Sequence, residues 1–395
     1  MQKYLTQSAL IQKFRNLFGA MPEIMVKAAG RVNLIGEHTD YNDGYVLPAS
    51  IDRYIFFVAR KREDSTVKAY ASDFQNMALF DISDGERDEK HPWTIYMKGV
   101  MQLLQKKKFK LGGVDILIAA NLPRASGLSS SAAMEVGTAS LLQILYPFHM
   151  EEIDIIKLTQ KAENQYAGTQ CGIMDMFVCR LGEKDHALFL DCRTLKYESV
   201  PIDFGDVSIV ICDSRKKRGL VESAYNERRS QCEQGVELLK QWQPDITALR
   251  DVSVELLKEH AAELPDDVRQ RCEHVVYENE RVLQSVKALR KKDIKKFGKL
   301  MAASHESLRD LYEVSCPELD TLVEAANEVE GTFGSRMTGA GFGGCTVNLV
   351  QNDALEEFKE HVVKRFTKTY GMNPTIHACN AENGIEIIPL KRDTY

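Results

Sequence analysis

The chain has 395 residues, of which 44% are hydrophobic, and its formal net charge is −6. The length predicts two or three domains, and the hydrophobic content excludes a chain that is disordered throughout. The acidic balance excludes the global basic charge typical of nucleic-acid-binding proteins, and no apolar run reaches the ~18–20 residues that span a bilayer.

The cysteines and the N-terminal segment indicate a cellular compartment. The nine Cys residues are odd in number and lack the close pairs of a zinc site, so we interpret them as reduced thiols. The N-terminal segment has no continuous apolar core of the kind found in signal peptides. These features predict a cytoplasmic protein without a membrane or nucleic-acid partner.

Hydrophobic periodicity predicts the secondary structure in chain order. After a short amphipathic helix, strands are expected at 51–60, 66–70, 77–82, 114–120, 186–191 and 207–212, and helices at about 130–145 and 151–167. We expect the second and third strands to pair with the first as an antiparallel set. From 220 to 307 the chain is charged and helical, and the remainder mixes two helices with short strands. This shift in composition predicts two domains, 1–200 and 201–395.

The first segment whose residues suggest a binding or catalytic site is GRVNLIGEHTDYNDGYVLP at residues 30–48. It combines charged residues with glycines and turn formers: Arg31, Glu37, His38, Asp40 and Asp43. A buried strand would not tolerate so many unpaired charges, whereas a loop that binds a polyhydroxylated ligand needs carboxylates and a guanidinium. The alternative is a solvated turn with surface ion pairs.

The second segment is PRASGLSSSAAMEV at residues 123–136, between a predicted strand and an Ala-rich helix. The N-terminus of a helix exposes unpaired N–H groups and binds phosphate well, and Gly127 lets the backbone approach an anion closely. The hydroxyls of Ser129, Ser130 and Ser131 add donors, and one of them could ligate a metal. The alternative is an ordinary Ser-capped helix.

Two further segments complete the set. AENQYAGTQCGIMDMF at residues 162–177 places Asp175 among apolar residues, where a carboxylate needs a partner or a function; Arg31 is a candidate partner. The alternative is an Asp that caps a helix or forms a structural ion pair. GSRMTGAGFGGCTVNLV at residues 334–350 is rich in glycine and could approach a ligand, or could be a purely structural turn. Its GxGxxG string precedes a strand rather than a helix, which argues against dinucleotide binding.

Taken together, these segments resemble the GHMP kinases, and within them most closely the galactokinases. SAYNERRSQCE at residues 223–233 and SLRDLYEVSCPELD at residues 307–320 add to the resemblance, which runs in order from about residue 20 to about residue 390. The resemblance implies an α/β (α+β) fold of two domains with the active site in the cleft between them. It also implies transfer of the γ-phosphate of ATP to the C1 hydroxyl of galactose, with Mg²⁺ as cofactor and a monomeric enzyme.

The resemblance assigns roles residue by residue. Asp175 matches the catalytic carboxylate, which accepts the proton of the sugar hydroxyl, and Arg31 matches the residue that stabilises the developing charge. The positions that match sugar-binding residues are Glu37, His38, Asp40, Asp175 and Tyr225. Those that match the phosphate cradle are Gly127, Leu128, Ser129, Ser130 and Ser131, and those that match the Mg²⁺ ligands are Ser131 and Glu163.

Three positions depart from the family pattern. Met176 stands where the family usually has Gln, and because it adjoins Asp175 we expect it to lie on the sugar side and to alter sugar preference or rate. Ala125 stands where Gly is usual, and Ala29 where Pro is frequent. These departures leave open a kinase of the same fold for another sugar, such as an N-acetylated hexosamine, another hexose or a pentose. A non-catalytic sensor of sugar and ATP is a further alternative.

Trp93 and Tyr96 are candidates for the adenine pocket, although such a pair is more often part of a core.

Overall fold

The computed structural model describes residues 5–123, 127–202, 204–216 and 221–390. Its strands are β1 (Ile24–Asn33), β2 (Tyr45–Val46), β3 (Pro48–Lys61), β4 (Thr66–Ala71), β5 (Asn76–Asp81), β6 (Val114–Ala120), β7 (His186–Asp191), β8 (Tyr197–Pro201), β9 (Val207–Asp213), β10 (Thr332–Thr338), β11 (Cys345–Gln351), β12 (Thr375–Cys379) and β13 (Ile385–Pro389). Its helices are α1 (Gln7–Phe18), α2 (Thr94–Lys106), α3 (Ser130–Leu145), α4 (Glu152–Ala162), α5 (Met174–Leu181), α6 (Val221–Leu239), α7 (Val254–His260), α8 (Asp266–Arg290), α9 (Ile294–Asp310), α10 (Pro317–Asn327) and α11 (Leu355–Tyr370). The mixed α/β class follows from this order. Ala125, one of the departures from the family pattern, lies outside the described residues.

The first sheet has the strand order β13-β1-β3-β6-β4-β5. The expectation that β4 pairs with β3 is wrong, because β6 lies between them: β6 is antiparallel to β3 and parallel to β4. The side chains of β6 are buried from Val114 to Ala119 on both faces of the sheet, which is the environment of a central strand. Only the antiparallel pairing of β4 with β5 agrees with the predicted set.

The second half of the chain contributes a sheet of order β10-β11-β9-β12, and β2, β7 and β8 form a third sheet. The last strand, β13, returns to the first sheet and pairs with β1. The division at residue 200 stays a prediction, with the qualification that residues 385–389 belong to the sheet of the first half.

Helix α3 packs across the first sheet and places its N-terminus beside β1. An added Cβ at Gly137 would lie 2.2 Å from Cε2 of Phe57 on β3, so glycine permits this close packing. The helix is Ala-rich and buried along most of its length, and hydrophobic burial stabilises it in this position. As a result, the start of α3 lies next to the residues of β1, and Arg31 N donates to the carbonyl oxygen of Leu128 just before the helix.

The nine cysteines are free thiols, seven of them buried, as the sequence predicts. No helix within the described residues combines the length and the apolar character that a membrane crossing requires.

Candidate active site

A cavity of 790 Å³ contains side chains from both halves of the chain. The first half supplies residues of β1, of the turn before α3 and of the segment that leads into α5, and the second half supplies Ser223, Tyr225, Asn226, Gly339 and Ala340. The predicted site residues on its wall are Arg31, Glu37, His38, Asp40, Gly127, Ser129, Ser130, Ser131, Glu163, Asp175 and Tyr225. The tertiary structure therefore brings together segments that lie up to about 300 residues apart in the chain.

Asp175 and Arg31 form a bidentate ion pair at the centre of this wall. Arg31 Nε donates to Asp175 Oδ1 at 2.6 Å, and Nη2 donates to Oδ2 at 2.7 Å. Burial alone would lower the pKa of Arg31, but the charge of Asp175 outweighs burial and raises it. Ser129 Oγ also donates to Asp175 Oδ2. The predicted partnership of Arg31 and Asp175 is confirmed, and the carboxylate has a fixed orientation toward the cavity.

The turn before α3 contains two residues with left-handed backbone conformations. Gly127 and Ser129 have φ angles of 84° and 58°. Arg31 Nη1 donates to the carbonyl oxygen of Gly127 at 2.5 Å, which fixes the turn to β1. Leu128 is the exception among the predicted cradle residues: its side chain is buried in the core, and its carbonyl accepts from Arg31 N at 3.1 Å. The side chain of Leu128 thus packs in the core and holds the turn in place, and it does not line the cavity.

Glu163 begins a π-helical turn at the end of α4, and its carboxylate faces the cradle. The hydroxyl of Ser131 hydrogen-bonds it. Burial and the charge of Asp175 outweigh that bond and raise the pKa of Glu163 to about 7. Carboxylate and hydroxyl oxygens are suitable ligands for a hard divalent cation, and both residues line the cavity, but their role as Mg²⁺ ligands stays a prediction. Within the described ranges, no group of three or more His, Cys, Asp and Glu side chains is arranged to hold a metal ion.

The remaining predicted residues on the cavity wall are Glu37, His38, Asp40 and Tyr225. Burial and the charge of Asp175 raise the pKa of Asp40 to about 7. Burial lowers the pKa of His38 to about 3, and the ring hydrogen-bonds Tyr41 Oη through Nδ1 at 2.8 Å. The rings of His38 and Tyr225 lie 5.6 Å apart. Asp43 lies away from the cavity and pairs with Arg193 at 3.2 Å, as the alternative of a surface ion pair predicts for this one residue.

Several residues of the wall were not predicted from the sequence, notably 169–172 and Ala340. Gly172 has a definite role, because an added Cβ would lie 1.7 Å from Asp40 Oδ2. Its position three residues before Asp175 in the GIMD string was a signal that could have found it. Tyr96 lies on the cavity wall, whereas Trp93 is buried and stacks on Phe74 with ring centroids 6.4 Å apart. Their role at an adenine ring stays a prediction.

Met176 is not where the sequence analysis expected it. Its side chain is fully buried in the hydrophobic core and does not line the cavity. Successive residues of a helix point about 100° apart, so in α5 the neighbour of a cavity-facing Asp175 points into the protein. The expected contact of Met176 with the sugar is therefore wrong.

Three family models match the chain. They are the galactokinase galactose-binding signature at residues 12–61, the GHMP kinases N terminal domain at 95–183 and the GHMP kinases C terminal domain at 285–368. The galactokinase of Roseiflexus sp. (strain RS-1) is 46% identical over 381 residues, which are 96% of this chain and 97% of the relative. That of Fusobacterium nucleatum is 44% identical over 95% of this chain and 98% of the relative.

The chain belongs to the galactokinase family.

The solved structures agree with this assignment. The Lactococcus lactis galactokinase complexed with galactose matches with a TM-score of 0.92 and 39% identity, over 96% of this chain and 99% of that chain. A mevalonate kinase, 20% identical, matches with a TM-score of 0.63 and shares the fold alone. The predicted family and GHMP-kinase fold are confirmed, and the galactokinase family member described here is an ATP-dependent sugar kinase.

Proposed function

We propose that the protein transfers the γ-phosphate of ATP to the C1 hydroxyl of galactose, giving galactose 1-phosphate and ADP, with Mg²⁺ as cofactor. The observation that carries the proposal is the Arg31–Asp175 pair, on the wall of a cavity that is also lined by the start of α3 and by Tyr225. The proposal assigns the proton acceptor to Asp175, the stabilising cation to Arg31 and the anion cradle to the turn before α3, all of which line the same cavity. Galactose as acceptor is supported by the galactose-binding signature and by the galactose-bound relative from L. lactis.

In the proposed reaction, an oxygen of Asp175 accepts the proton of the C1 hydroxyl as that oxygen attacks the γ-phosphorus. The new O–P bond forms while the bond between the γ-phosphorus and the bridging oxygen of ADP breaks. Arg31 and Ser129 hold the carboxylate in one orientation, which reduces the entropic cost of reaching the transition state. The transition state is loose, so positioning and electrostatic stabilisation supply most of the catalysis.

The phosphate cradle is proposed at Gly127–Ser131, because the N-terminus of a helix such as α3 exposes unpaired N–H groups that stabilise negative charge. Sugar hydroxyls are proposed to bind Glu37, His38, Asp40 and Tyr225 at the other end of the cavity. Asp40 and Glu37 accept hydrogen bonds, and the apolar faces of the His38 and Tyr225 rings suit the C–H face of a sugar.

The residues around Glu163 fit a magnesium ion. Ser131 and Glu163 offer two oxygen ligands on the cavity wall, and Mg²⁺ commonly binds one or two protein groups together with waters and substrate phosphates. Glu135 lies one helical turn after Ser131 and is fully buried, and neither of its carboxylate oxygens has a hydrogen-bond partner among the described residues, so a nearby positive charge would stabilise it. When bound, the ion would neutralise charge on the phosphate oxygens.

The domain and cellular assignments extend this proposal. Residues 1–200 are proposed to supply the sugar signature and the phosphate loop, and residues 201–395 to supply Tyr225 and the glycine-rich third motif. The working protein is proposed to be a cytoplasmic monomer that acts on free sugar and ATP and has no nucleic-acid or membrane partner.

The experiment is a sugar panel with the full chain, ATP and Mg²⁺, in which ADP release is measured with galactose, glucose, mannose, N-acetylgalactosamine and arabinose. We expect robust turnover with galactose alone and a C1 phosphate in the ³¹P NMR spectrum of the product. Turnover only with another sugar would overturn the choice of galactose. ATP binding without turnover on any sugar would support a sensor. Met176 does not support a kinase for another sugar, because its side chain does not line the cavity.

A further inference from the structure

Arg336, on β10, is fully buried and does not line the cavity. Its Nη1 donates to the carbonyl oxygen of Asn33 on β1 at 3.0 Å. Its Nη2 lies 3.4 Å from Glu37 Oε1, in an ion pair whose members are 0% and 4% exposed. A guanidinium in such a place is costly unless it is paired, so the Glu37 carboxylate is its electrostatic partner.

Glu37 Oε1 receives two more donors from the third motif. Gly339 N donates to it at 2.7 Å and Thr338 Oγ1 at 3.1 Å. These contacts and the Arg336 ion pair all fall on Oε1, which leaves Oε2 as the oxygen that can accept from a ligand hydroxyl. Because Glu37 lines the cavity, a carboxylate fixed at one oxygen presents the other in a defined direction.

We propose that Arg336 is a positioning residue for sugar recognition, which acts through Glu37 without touching the sugar. It fixes the Glu37 carboxylate between β1 and the start of the glycine-rich loop at 339–344, and so joins the sugar end of the cavity to that loop. This inference rests on the proposed function, in which Glu37 binds a sugar hydroxyl. A purely structural arginine would affect stability and both substrates alike, whereas a positioning role affects the sugar selectively.

The test compares Arg336→Lys and Arg336→Met with the wild type in four quantities: KM for the sugar, KM for ATP, kcat, and the rise in Tm that saturating sugar causes. We expect the sugar KM to rise at least about tenfold in Arg336→Met and the ATP KM to stay within about twofold. Lys keeps the charge but has no planar fork to reach Asn33 O and Glu37 together, so its effect is smaller. The rise in Tm that saturating sugar causes is expected to be smaller than in the wild type, and smaller in Arg336→Met than in Arg336→Lys.

A double-mutant cycle with Glu37→Gln separates positioning from general damage. If Arg336 acts through Glu37, the two changes are strongly non-additive on the sugar KM, and the double variant is hardly worse than Glu37→Gln alone. If Arg336→Met fails to fold, the test uses Arg336→Lys and Thr338→Val, the second of which removes another contact to Oε1. Each is expected to raise the sugar KM selectively.

The matched control is Arg180, whose side chain is 8% exposed and pairs with Glu152 away from the cavity. Arg180→Lys and Arg180→Met are expected to lower Tm and to leave the sugar KM unchanged. The inference is overturned if folded Arg336 variants keep the wild-type sugar KM, or if their KM values for sugar and for ATP rise equally. It is also overturned if their effect on the sugar KM is fully additive with that of Glu37→Gln. If the wild type prefers a sugar other than galactose, the proposed function fails in that measurement, and the variants are compared with the preferred sugar.

Discussion

At the scale of single residues, the site depends on how Asp175 is held. Its two carboxylate oxygens accept from Arg31, and one also accepts from Ser129. These donors come from β1 and from the turn before α3, and Asp175 itself lies in the first turn of α5. Three separate elements therefore define the direction of one carboxylate.

Asp175→Asn should reduce kcat by several orders of magnitude and leave the fold intact. The amide keeps the shape of the side chain but cannot accept the hydroxyl proton, and the loss is felt mainly in the transition state. The measurement is kcat with galactose, together with Tm. Asp43→Asn is the matched control, since Asp43 lies off the cavity with φ of 58°, a conformation that Asn tolerates. Turnover of Asp175→Asn near the wild-type value would remove Asp175 from the mechanism.

Asp40 should give the sugar reaction a pH dependence near neutrality. Burial and the charge of Asp175 raise its pKa to about 7, so the carboxylate loses its charge as the pH falls through that value. Since the charged form is the better acceptor for sugar hydroxyls, kcat/KM for the sugar should fall below pH 7 at saturating ATP and Mg²⁺. The pH profile of kcat/KM measures this. A flat profile from pH 6 to pH 8 would contradict the assigned role of ionised Asp40.

At the scale of elements, the close contact of α9 with β10 supports the strand that carries Arg336. An added Cβ at Gly298 would lie 1.8 Å from the carbonyl oxygen of Phe333, and one at Gly334 would lie 2.6 Å from Gly298 Cα. The obstacle in each case is backbone, which cannot rotate away as a side chain could. Glycine at both positions lets the helix lie directly on the strand.

Gly298→Ala should destabilise the protein by about 1–3 kcal/mol, because the added methyl group forces α9 away from β10. Helix propensity alone predicts the opposite, a gain of about 1 kcal/mol from Gly to Ala. Urea unfolding measures the difference. Lys299→Ala, at the exposed neighbouring position, is the control and should change stability by less than about 0.5 kcal/mol. A stabilised Gly298→Ala variant would show that the helix can shift without cost.

At the scale of the whole molecule, Glu278 on α8 joins the helical second half to the sugar-signature loop. Its Oε1 accepts from Gly36 N at 2.9 Å and from Ser304 Oγ at 2.6 Å, and its Oε2 accepts from Arg281 at 2.6 Å. Burial alone would raise the pKa of Glu278, but Arg281 and other nearby charges outweigh burial and lower it to about 2. The ionised carboxylate of Glu278 thus connects the second half of the chain to Gly36 in the first half.

Glu278 should make the protein sensitive to acid. A carboxyl whose pKa is lower in the folded state stabilises the fold above its unfolded pKa of about 4.5, and this contribution is lost as the pH falls toward 2. The full contribution is about 3 kcal/mol. The difference in unfolding free energy between wild type and Glu278→Gln, measured in urea, should therefore shrink as the pH is lowered from 6 toward 3. Glu280→Gln, at an exposed position of the same helix, should show no such trend.

The sequence alone determined the features that depend on neighbouring residues. The predicted bounds of α3, β6 and β7 agree with the structure, because each element is a contiguous run of apolar or helix-favouring residues that is recognisable without its neighbours in space. The galactose-binding signature and the family were also recognisable, since each motif is contiguous in the chain.

Only the tertiary structure decided which distant segments meet and which way each side chain points. The ion pairs of Arg31 with Asp175 and of Glu37 with Arg336 join positions 144 and 299 apart. Periodicity gave β4 and β6 as strands but not their parallel pairing, and motif spacing placed Met176 beside Asp175 but not inside the core. The physical reason is that strand order and side-chain direction are fixed by burial against the rest of the molecule, to which many remote residues contribute at once.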